Sequence, residues 1–111
     1  MYSPIVMIEG TQLTSSVAVY YTAPALSNAR ISQLVLTNAD TTTPHSVTLY
    51  LAPGSGSPDN SNLIINKVLA PKETYVVYQV GNLVIPAAGT IQAIADTSAV
   101  VTIHASGVLI T

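Results

Sequence analysis

Apolar and polar side chains alternate strictly along two stretches of the chain. In residues 46–51 the sequence SVTLYL places valine or leucine at every second position, and in residues 101–106 the sequence VTIHAS repeats the pattern with valine, isoleucine and alanine. Successive side chains of a β-strand point to opposite faces of its sheet, so a period of two is typical of a strand with one buried face. Each stretch therefore predicts one half-buried strand.

Further runs rich in β-branched residues extend this pattern over the whole chain. Turn-forming combinations such as Glu9-Gly10 and Gly81-Asn82 separate the runs, and no run keeps a helical period for three turns. About eight short strands at this spacing predict an all-β fold, an antiparallel β-sandwich of the jelly-roll or immunoglobulin-like kind. Besides the two stretches above, the predicted strands cover residues 5–8, 16–22, 31–37, 63–68, 75–80 and 91–95.

The length of 111 residues fits a single domain over 1–111, with residues 1–10 as a candidate N-terminal arm. The chain has no cysteine, which excludes disulfides, zinc–cysteine sites and thiol chemistry. No apolar run approaches the roughly 18 residues of a membrane-spanning helix. Glu9 also lies where a signal peptide would still be apolar. We therefore expect neither a membrane segment nor a cleaved signal peptide.

The scarcity of charge is the most unusual property of the composition. Charged residues make up 7% of the chain, while 49% of the residues are hydrophobic and the mean hydropathy is +0.49. Such a surface is poorly suited to a free monomer and favours a subunit covered by copies of itself or by a larger assembly. The alternative is a surface made polar by uncharged Ser, Thr, Asn and Gln. Three Lys or Arg residues are too few for a nucleic-acid interface, so we expect no nucleic acid.

The segment between residues 38 and 45, NADTTTPH, contains an acid and a histidine that could be catalytic. A catalytic histidine needs a group to orient it and a nucleophile or water to act on, and the sequence pairs neither with His45. Asn38 and Asp40 are typical turn residues, and Pro44 favours an extended Thr43. We interpret the segment as a hairpin connection between two strands.

The remaining acids and histidines also form no recognisable catalytic or metal-binding motif. A metal site would have to join His45, His104 and a carboxylate, and nothing in their spacing brings them together. The five carboxylates lie in or beside predicted turns, where acids are usually solvated. No phosphate-binding, dinucleotide-binding or hydrolase motif is present. We expect no enzyme activity, cofactor or metal; on the polar side of its strand, His104 could instead line a symmetry axis.

The six tyrosines are the only aromatic residues. If the adjacent Tyr20 and Tyr21 lie in one strand, one should point inward and the other outward. Exposed tyrosines could bind a sugar, but tyrosine is more often found at interfaces, with its ring buried and its hydroxyl wet. The predicted interface residues, drawn from the arm, these tyrosines and the last strand, are Tyr2, Ile5, Met7, Tyr20, Tyr21 and His104.

Taken in order, several segments of the chain resemble those of small all-β virion proteins of tailed bacteriophages. The resemblance runs through a Y-T-x-P opening, a strand into L-T-N-x-D, a V-T-L-Y strand, A-G-x-x-I-x-A and a closing strand near S-G-V. It covers nearly the whole chain. The segments are YYTAPALSNARISQLVLTNAD (20–40), HSVTLYLAPG (45–54), NLIINKVLAPKETY (62–75), AAGTIQAIAD (87–96) and VTIHASGVLI (101–110).

The resemblance implies a structural role in the virion and carries over no catalytic residue. The leading hypothesis is a capsid decoration, or cement, protein that forms homo-oligomers, with a trimer favoured, and contacts the major capsid protein or other virion proteins. Made in the host cytoplasm, it would end in the virion. The alternatives are a virion protein of the tail, baseplate or fibre, and a carbohydrate-binding module that uses its tyrosines.

Overall fold

The computed structural model describes residues 2–52, 62–81 and 83–110, except for the side chains of Tyr2 and Gln79. Within these residues there is no α-helix, and one short 3-10 helix covers Tyr78–Val80. No described helix is long and apolar enough to span a membrane. The described strands are β1 (Tyr2–Gln12), β2 (Ala18–Thr22), β3 (Asn28–Asn38), β4 (His45–Ala52), β5 (Leu63–Leu69), β6 (Thr74–Val76), β7 (Val84–Ile85), β8 (Thr90–Ala95) and β9 (Val101–Ile110).

The strands form two antiparallel sheets that pack as a sandwich. The first sheet has the order β1-β9-β3-β6, with β7 also paired to β3, and the second has the order β2-β8-β4-β5. A single long hairpin contains the strand pairs β1–β9, β2–β8, β3–β6/β7 and β4–β5 in succession. These pairs lie alternately in the first and the second sheet. This is the strand order of a jelly roll. The predicted all-β antiparallel sandwich is confirmed, and of the two predicted kinds the jelly roll is the one observed.

Several strand boundaries differ from the predicted ones. The strand predicted over residues 5–8 extends over β1, so the candidate arm, residues 1–10, largely coincides with a strand of the chain's own first sheet. The strand predicted over residues 75–80 ends at Val76, because the chain turns into the 3-10 helix after Val77, whose N–H still bonds to the Leu34 carbonyl of β3. The two-residue strand β7 was not predicted, because Pro86 follows it directly.

The core lies between the two sheets and consists of aliphatic side chains. On the central strands β3, β4 and β9, buried and more exposed positions alternate, as a two-residue period requires. Burial of the two apolar sheet faces stabilises the fold, so the fold needs few charged residues. The largest fully buried side chains are Leu13, Ile31, Leu34, Leu36, Leu49, Leu69, Ile85, Ile91 and Ile103, with Val47, Val77 and Val80.

The edge strands carry features that oppose pairing with another chain. On β1 these are Pro4 and two register shifts, whereas β2 is only five residues long and contains a bulge. On β5, Lys67 pairs with the buried Val47, so it lies on the inner side, and its Nζ is 4.7 Å from the ring centroid of Tyr75 in the other sheet. The strands β6 and β7 are very short. Because prolines, bulges and inward-pointing charges protect sheet edges, another copy is better accommodated on a sheet face.

Candidate functional site

The most distinctive polar cluster joins two loops at one end of the sandwich. Asp40 lies between β3 and β4, His45 begins β4, and Asp96 follows β8. The His45 ring is 6% exposed, with Nδ1 2.8 Å from Asp96 Oδ1 and Nε2 2.9 Å from Asp40 Oδ2. The second oxygen of Asp96 accepts a hydrogen bond from the Ser46 N–H, 3.1 Å away. The histidine therefore bridges two loops that are distant in sequence.

This geometry requires His45 to be protonated. An ionised carboxylate can only accept hydrogen bonds, so both ring nitrogens must donate. The bond to Asp40 raises the pKa of His45 above 6.5; burial opposes this, and Asp96 adds to the rise. The bond from His45 lowers the pKa of Asp40 from 3.8 to about 2, with help from the Thr42 and Thr43 N–H groups. Burial alone would raise the pKa of Asp96, but the Ser46 N–H and His45 together lower it.

The cluster is arranged as a clamp between loops. Both ring nitrogens are engaged by carboxylates, so neither faces a water or a nucleophile. Among the described residues, no group of three or more His, Cys, Asp or Glu could hold a metal ion. A carboxylate–imidazolium–carboxylate bridge can, however, make the position of both loops depend on pH.

Two interpretations from the sequence are wrong at this site. The segment between β3 and β4 is not a hairpin connection, because β3 belongs to the first sheet and β4 to the second, so the chain crosses between sheets here. Asp40 and Asp96 are not merely solvated turn acids, since both bind His45. Away from this site, Glu9 also differs from the prediction, because it lies inside β1 rather than in a turn. The partner that sequence reasoning missed is Asp96, which is 51 residues from His45.

The stability of the fold should fall as the pH rises from about 6 to 9. Because the folded-state pKa of His45 is raised, its contribution is fully present below 6.5 and is lost as the pH passes the raised value. On the acid side, the contribution of Asp40 is present above 3.8 and is lost as the pH falls towards about 2. Thermal unfolding measured from about pH 2 to about pH 9 covers both effects.

The matched control for the pH prediction is the other histidine. A His45→Gln variant should lose the decline between pH 6 and 9, whereas His104→Gln should keep it. An unchanged alkaline slope in His45→Gln would show that another group causes it.

A second buried polar residue, Asn38, holds this end of the sandwich together and was not singled out by the sequence. Its side chain is fully buried, and Nδ2 donates to three carbonyl oxygens, those of Thr43, Leu69 and Ala70, at 3.1, 3.1 and 3.2 Å. Its Oδ1 accepts from the Asp40 N–H at 3.0 Å. Asn38 thus joins the Asp40 loop to the turn after β5.

The residues predicted for an interface lie in different environments. His104 is exposed on β9, and its Nδ1 accepts a hydrogen bond from the Gly10 N–H at 3.2 Å, which leaves Nε2 to carry the proton in the neutral ring. Met7 is buried in the core, and Ile5 is half-buried against it. The side chain of Tyr2 is outside the described part of the structure.

Tyr20 and Tyr21 do not point to opposite sides as the alternation predicts. Both are half-buried and pack against the core, because a register shift between Val19 and Tyr21 interrupts the period of two. The Tyr20 hydroxyl accepts a hydrogen bond from the Thr14 N–H at 3.3 Å, and burial raises the pKa of Tyr21.

A shallow groove of about 210 Å³ crosses the outer face of the first sheet. Val6 on β1, 69% exposed, and Val35 on β3 supply apolar surface, and Gln33, His104 and Ser106 supply polar groups. The groove lies over β9, which pairs with both β1 and β3. It is therefore central to this face.

The outer faces of both sheets are almost without charge. In the first sheet the outward positions of the two central strands alternate with the core positions apart from a register shift in β3, whereas in the second sheet Ala52, Thr90 and Gln92 occupy outward register positions but are themselves buried. Arg30 is the single charged residue among these positions, where an average composition would place several charges. The outward positions are residues 28, 30, 33, 35, 37, 102, 104, 106, 108 and 110 in the first sheet and residues 46, 48, 50, 52, 90, 92 and 94 in the second.

Comparison with known proteins finds one loose structural similarity. No protein-family model matches the chain, and no curated protein matches it. A solved chain described as "Structure of infectious bursal disease virus Gx strain" aligns with 15% sequence identity and a TM-score of 0.39. The alignment covers 98% of this chain and 30% of that one, so the chain spans less than a third of that length. A superposition this loose assigns the chain to no family.

Proposed function

We propose that this protein is a structural subunit of a bacteriophage particle, most specifically a capsid decoration protein. It forms homo-oligomers, with a trimer favoured, and stabilises the shell through contacts with itself and with the major capsid protein. It is made in the host cytoplasm and carried in the virion. The proposal includes no catalysis, no nucleic-acid binding and no membrane association.

The observation that carries the proposal is the lack of charge on both outer sheet faces. Solvated faces of antiparallel sheets are normally polar and charged, whereas contact surfaces are depleted of charge at their centres. Here Arg30 alone is charged among the outward positions of the four central strands. Such faces are suited to being covered by neighbouring subunits. The resemblance to phage virion proteins and the jelly-roll strand order support the same proposal.

The physical mechanism is burial of apolar area repeated over many copies. Each 200 Å² of apolar surface removed from water contributes about 5 kcal/mol before the cost of association is subtracted. When one oligomer contacts several shell subunits, its second and later contacts form at high effective concentration. Many weak contacts can therefore resist expansion of a shell.

The carbohydrate-binding alternative is less well supported by the tyrosines. Tyr20, Tyr21 and Tyr75 pack against the core, and Tyr78, 77% exposed, is the most exposed tyrosine in the described part of the chain. A stacking platform needs an accessible ring face. A role at the tail or fibre would depend on the same burial of apolar surface as shell decoration. It would differ only in the position of the protein in the virion.

The test is the copy number of this chain in purified particles of the phage that encodes it. Quantitative mass spectrometry should find the chain at a copy number of the same order as the major capsid protein. A copy number like that of tail components would move the protein to the tail. Absence from the particle would overturn the proposal.

A further inference from the structure

We infer that the outer face of the first sheet is the contact between copies of this chain, with Arg30 of one copy paired to Glu9 of the next. The inference rests on the proposed function, because a decoration subunit that forms homo-oligomers needs a self-contact. It goes further by assigning that contact to one face and one ion pair.

Arg30 is a half-buried cation that forms no ion pair with the described residues of its own copy. It lies on β3, opposite Val108 on β9 and Val84 on β7. Its Nε atom is buried, and within the described residues it has no hydrogen-bond partner. The Nε atom has almost no accessible surface, so an acceptor from outside the chain cannot reach it, and only the exposed remainder of this half-buried side chain can meet a group from another copy. A carboxylate is the acceptor that best matches a guanidinium.

Glu9 is the anion that the same sheet offers. It is exposed on β1, beside His104, in the irregular stretch between the Ile8–Ala105 and Thr11–Ile103 pairs. The ion pairs of the described residues all involve His45, so Glu9 is unpaired as well. In the described part of the chain, the face thus carries one positive and one negative residue, and neither forms an ion pair with another described residue.

The register places the two charges too far apart to pair within one copy. Arg30 and Glu9 are separated by two strand spacings across the sheet, about 10 Å, and by about four residues along it, about 13 Å. Their Cα atoms are therefore about 16 Å apart, towards opposite sides of the face. Because the two charges have opposite signs and lie on opposite sides of the face, Arg30 of one copy can meet Glu9 of the next. The strand β9, with His104 and Ser106, lies between the two charged residues.

The face is large enough for a stable contact. The three long strands β1, β9 and β3 cover about 14 Å by about 33 Å, and the five residues of β6 and β7 add about 80 Å², which gives about 550 Å² per copy and about 1,100 Å² for the pair. Specific interfaces generally exceed about 1,000 Å² in total. The exposed side chains include Val6 at 69% and Val84 at 51%. The protected edges leave a face as the available surface for a second copy.

The experiment is a charge reversal and exchange, followed by sedimentation velocity across a concentration series. Arg30→Glu and Glu9→Arg should each weaken self-association at least about tenfold, because like charges would meet at the contact. The double variant Arg30→Glu/Glu9→Arg should restore it. Lys72→Glu makes the same change in net charge on an exposed turn and should leave association unchanged. Cooperative unfolding of every variant checks that it is folded.

Mixing the two single variants also tests the contact. Because the same face serves both copies, the contact is two-fold and joins copies in pairs, so Arg30→Glu mixed with Glu9→Arg should form dimers as the wild type does. A trimer would need a second contact elsewhere on the chain. No recovery, either in the mixture or in the double variant, would overturn this contact.

The outcomes separate this inference from the proposed function. If the wild-type chain associates and the charge variants associate equally well, the Arg30–Glu9 contact is wrong while a virion role can stand. If the wild-type chain stays monomeric at every concentration, the contact is wrong too. If the exchange succeeds but the chain is missing from virions, the contact is right and the proposed function is wrong.

Discussion

Replacing Gly107 with alanine should destabilise the fold by about 3 kcal/mol. Gly107 is buried on β9, paired with Ile5 on β1 and Ile31 on β3. A Cβ at this position would lie well inside van der Waals distance of the Arg30 carbonyl oxygen and 2.6 Å from the Met7 Cε. The Met7 side chain can move, but the Arg30 carbonyl belongs to the backbone of β3, so the central strand pair would have to separate. Urea unfolding measures the loss.

The control for this prediction is Gly81→Ala. Gly81 has φ −58°, an ordinary value for alanine, and an added Cβ would lie 3.4 Å from the Tyr78 carbonyl oxygen, which is normal contact. This variant should match the wild type or gain up to about 1 kcal/mol by restricting the unfolded chain. A Gly107→Ala protein as stable as the wild type would mean that β3 and β9 do not approach as closely as described.

The second large effect is expected from Asn38→Ala, at about 2–4 kcal/mol. The substitution removes a donor shared by three carbonyl oxygens and the acceptor of the Asp40 N–H. These backbone groups would remain at a buried site that water reaches poorly, so they would be left unsatisfied. Urea unfolding at pH 6 gives the free-energy difference, and the pH dependence assigned to His45 should weaken because the Asp40 loop loses its anchor.

Asn28→Ala provides the comparison for Asn38. Asn28 is exposed and accepts one hydrogen bond, from the Ala87 N–H at 3.0 Å. Its replacement should cost about 1 kcal/mol or less, since water can take the place of the lost acceptor. Equal effects of the two substitutions would contradict the role given to the buried amide.

Local patterns predicted the fold class because the core is built from alternation. The strands β4 and β9 keep a period of two except at their C-terminal ends, and over that stretch their buried faces are the alternating apolar residues of the sequence. The strand β7 was missed because two residues before Pro86 are too few to show a period. Which strands share a sheet could not be read from spacing, because each half of the long hairpin is divided between two sheets.

The site was predictable only in part, because its contacts are not local. Asp40 and His45 stand five residues apart and were singled out together, but Asp96 approaches them only through the pairing of β4 with β8. Asn38 was assigned to a turn by its residue type, and its burial follows from the β5–β6 turn packing over it. The one local signal for the burial of Asn38 was its place in the sequence. It is a polar residue directly after the strand predicted over residues 31–37 and before the turn acid Asp40.

The pairing of β1 with β9 determines when the protein can fold during synthesis. The strand β1 leaves the ribosome well before its partner β9, and β3 also needs β9 at the centre of the first sheet. At about 5–20 residues per second, translation of the chain takes several seconds, and the first sheet cannot close in that time. Such non-local topologies also close slowly once complete, in milliseconds to seconds. The first sheet therefore stays open until β9 has been synthesised, and chaperones can bind β1 and β3 during that interval.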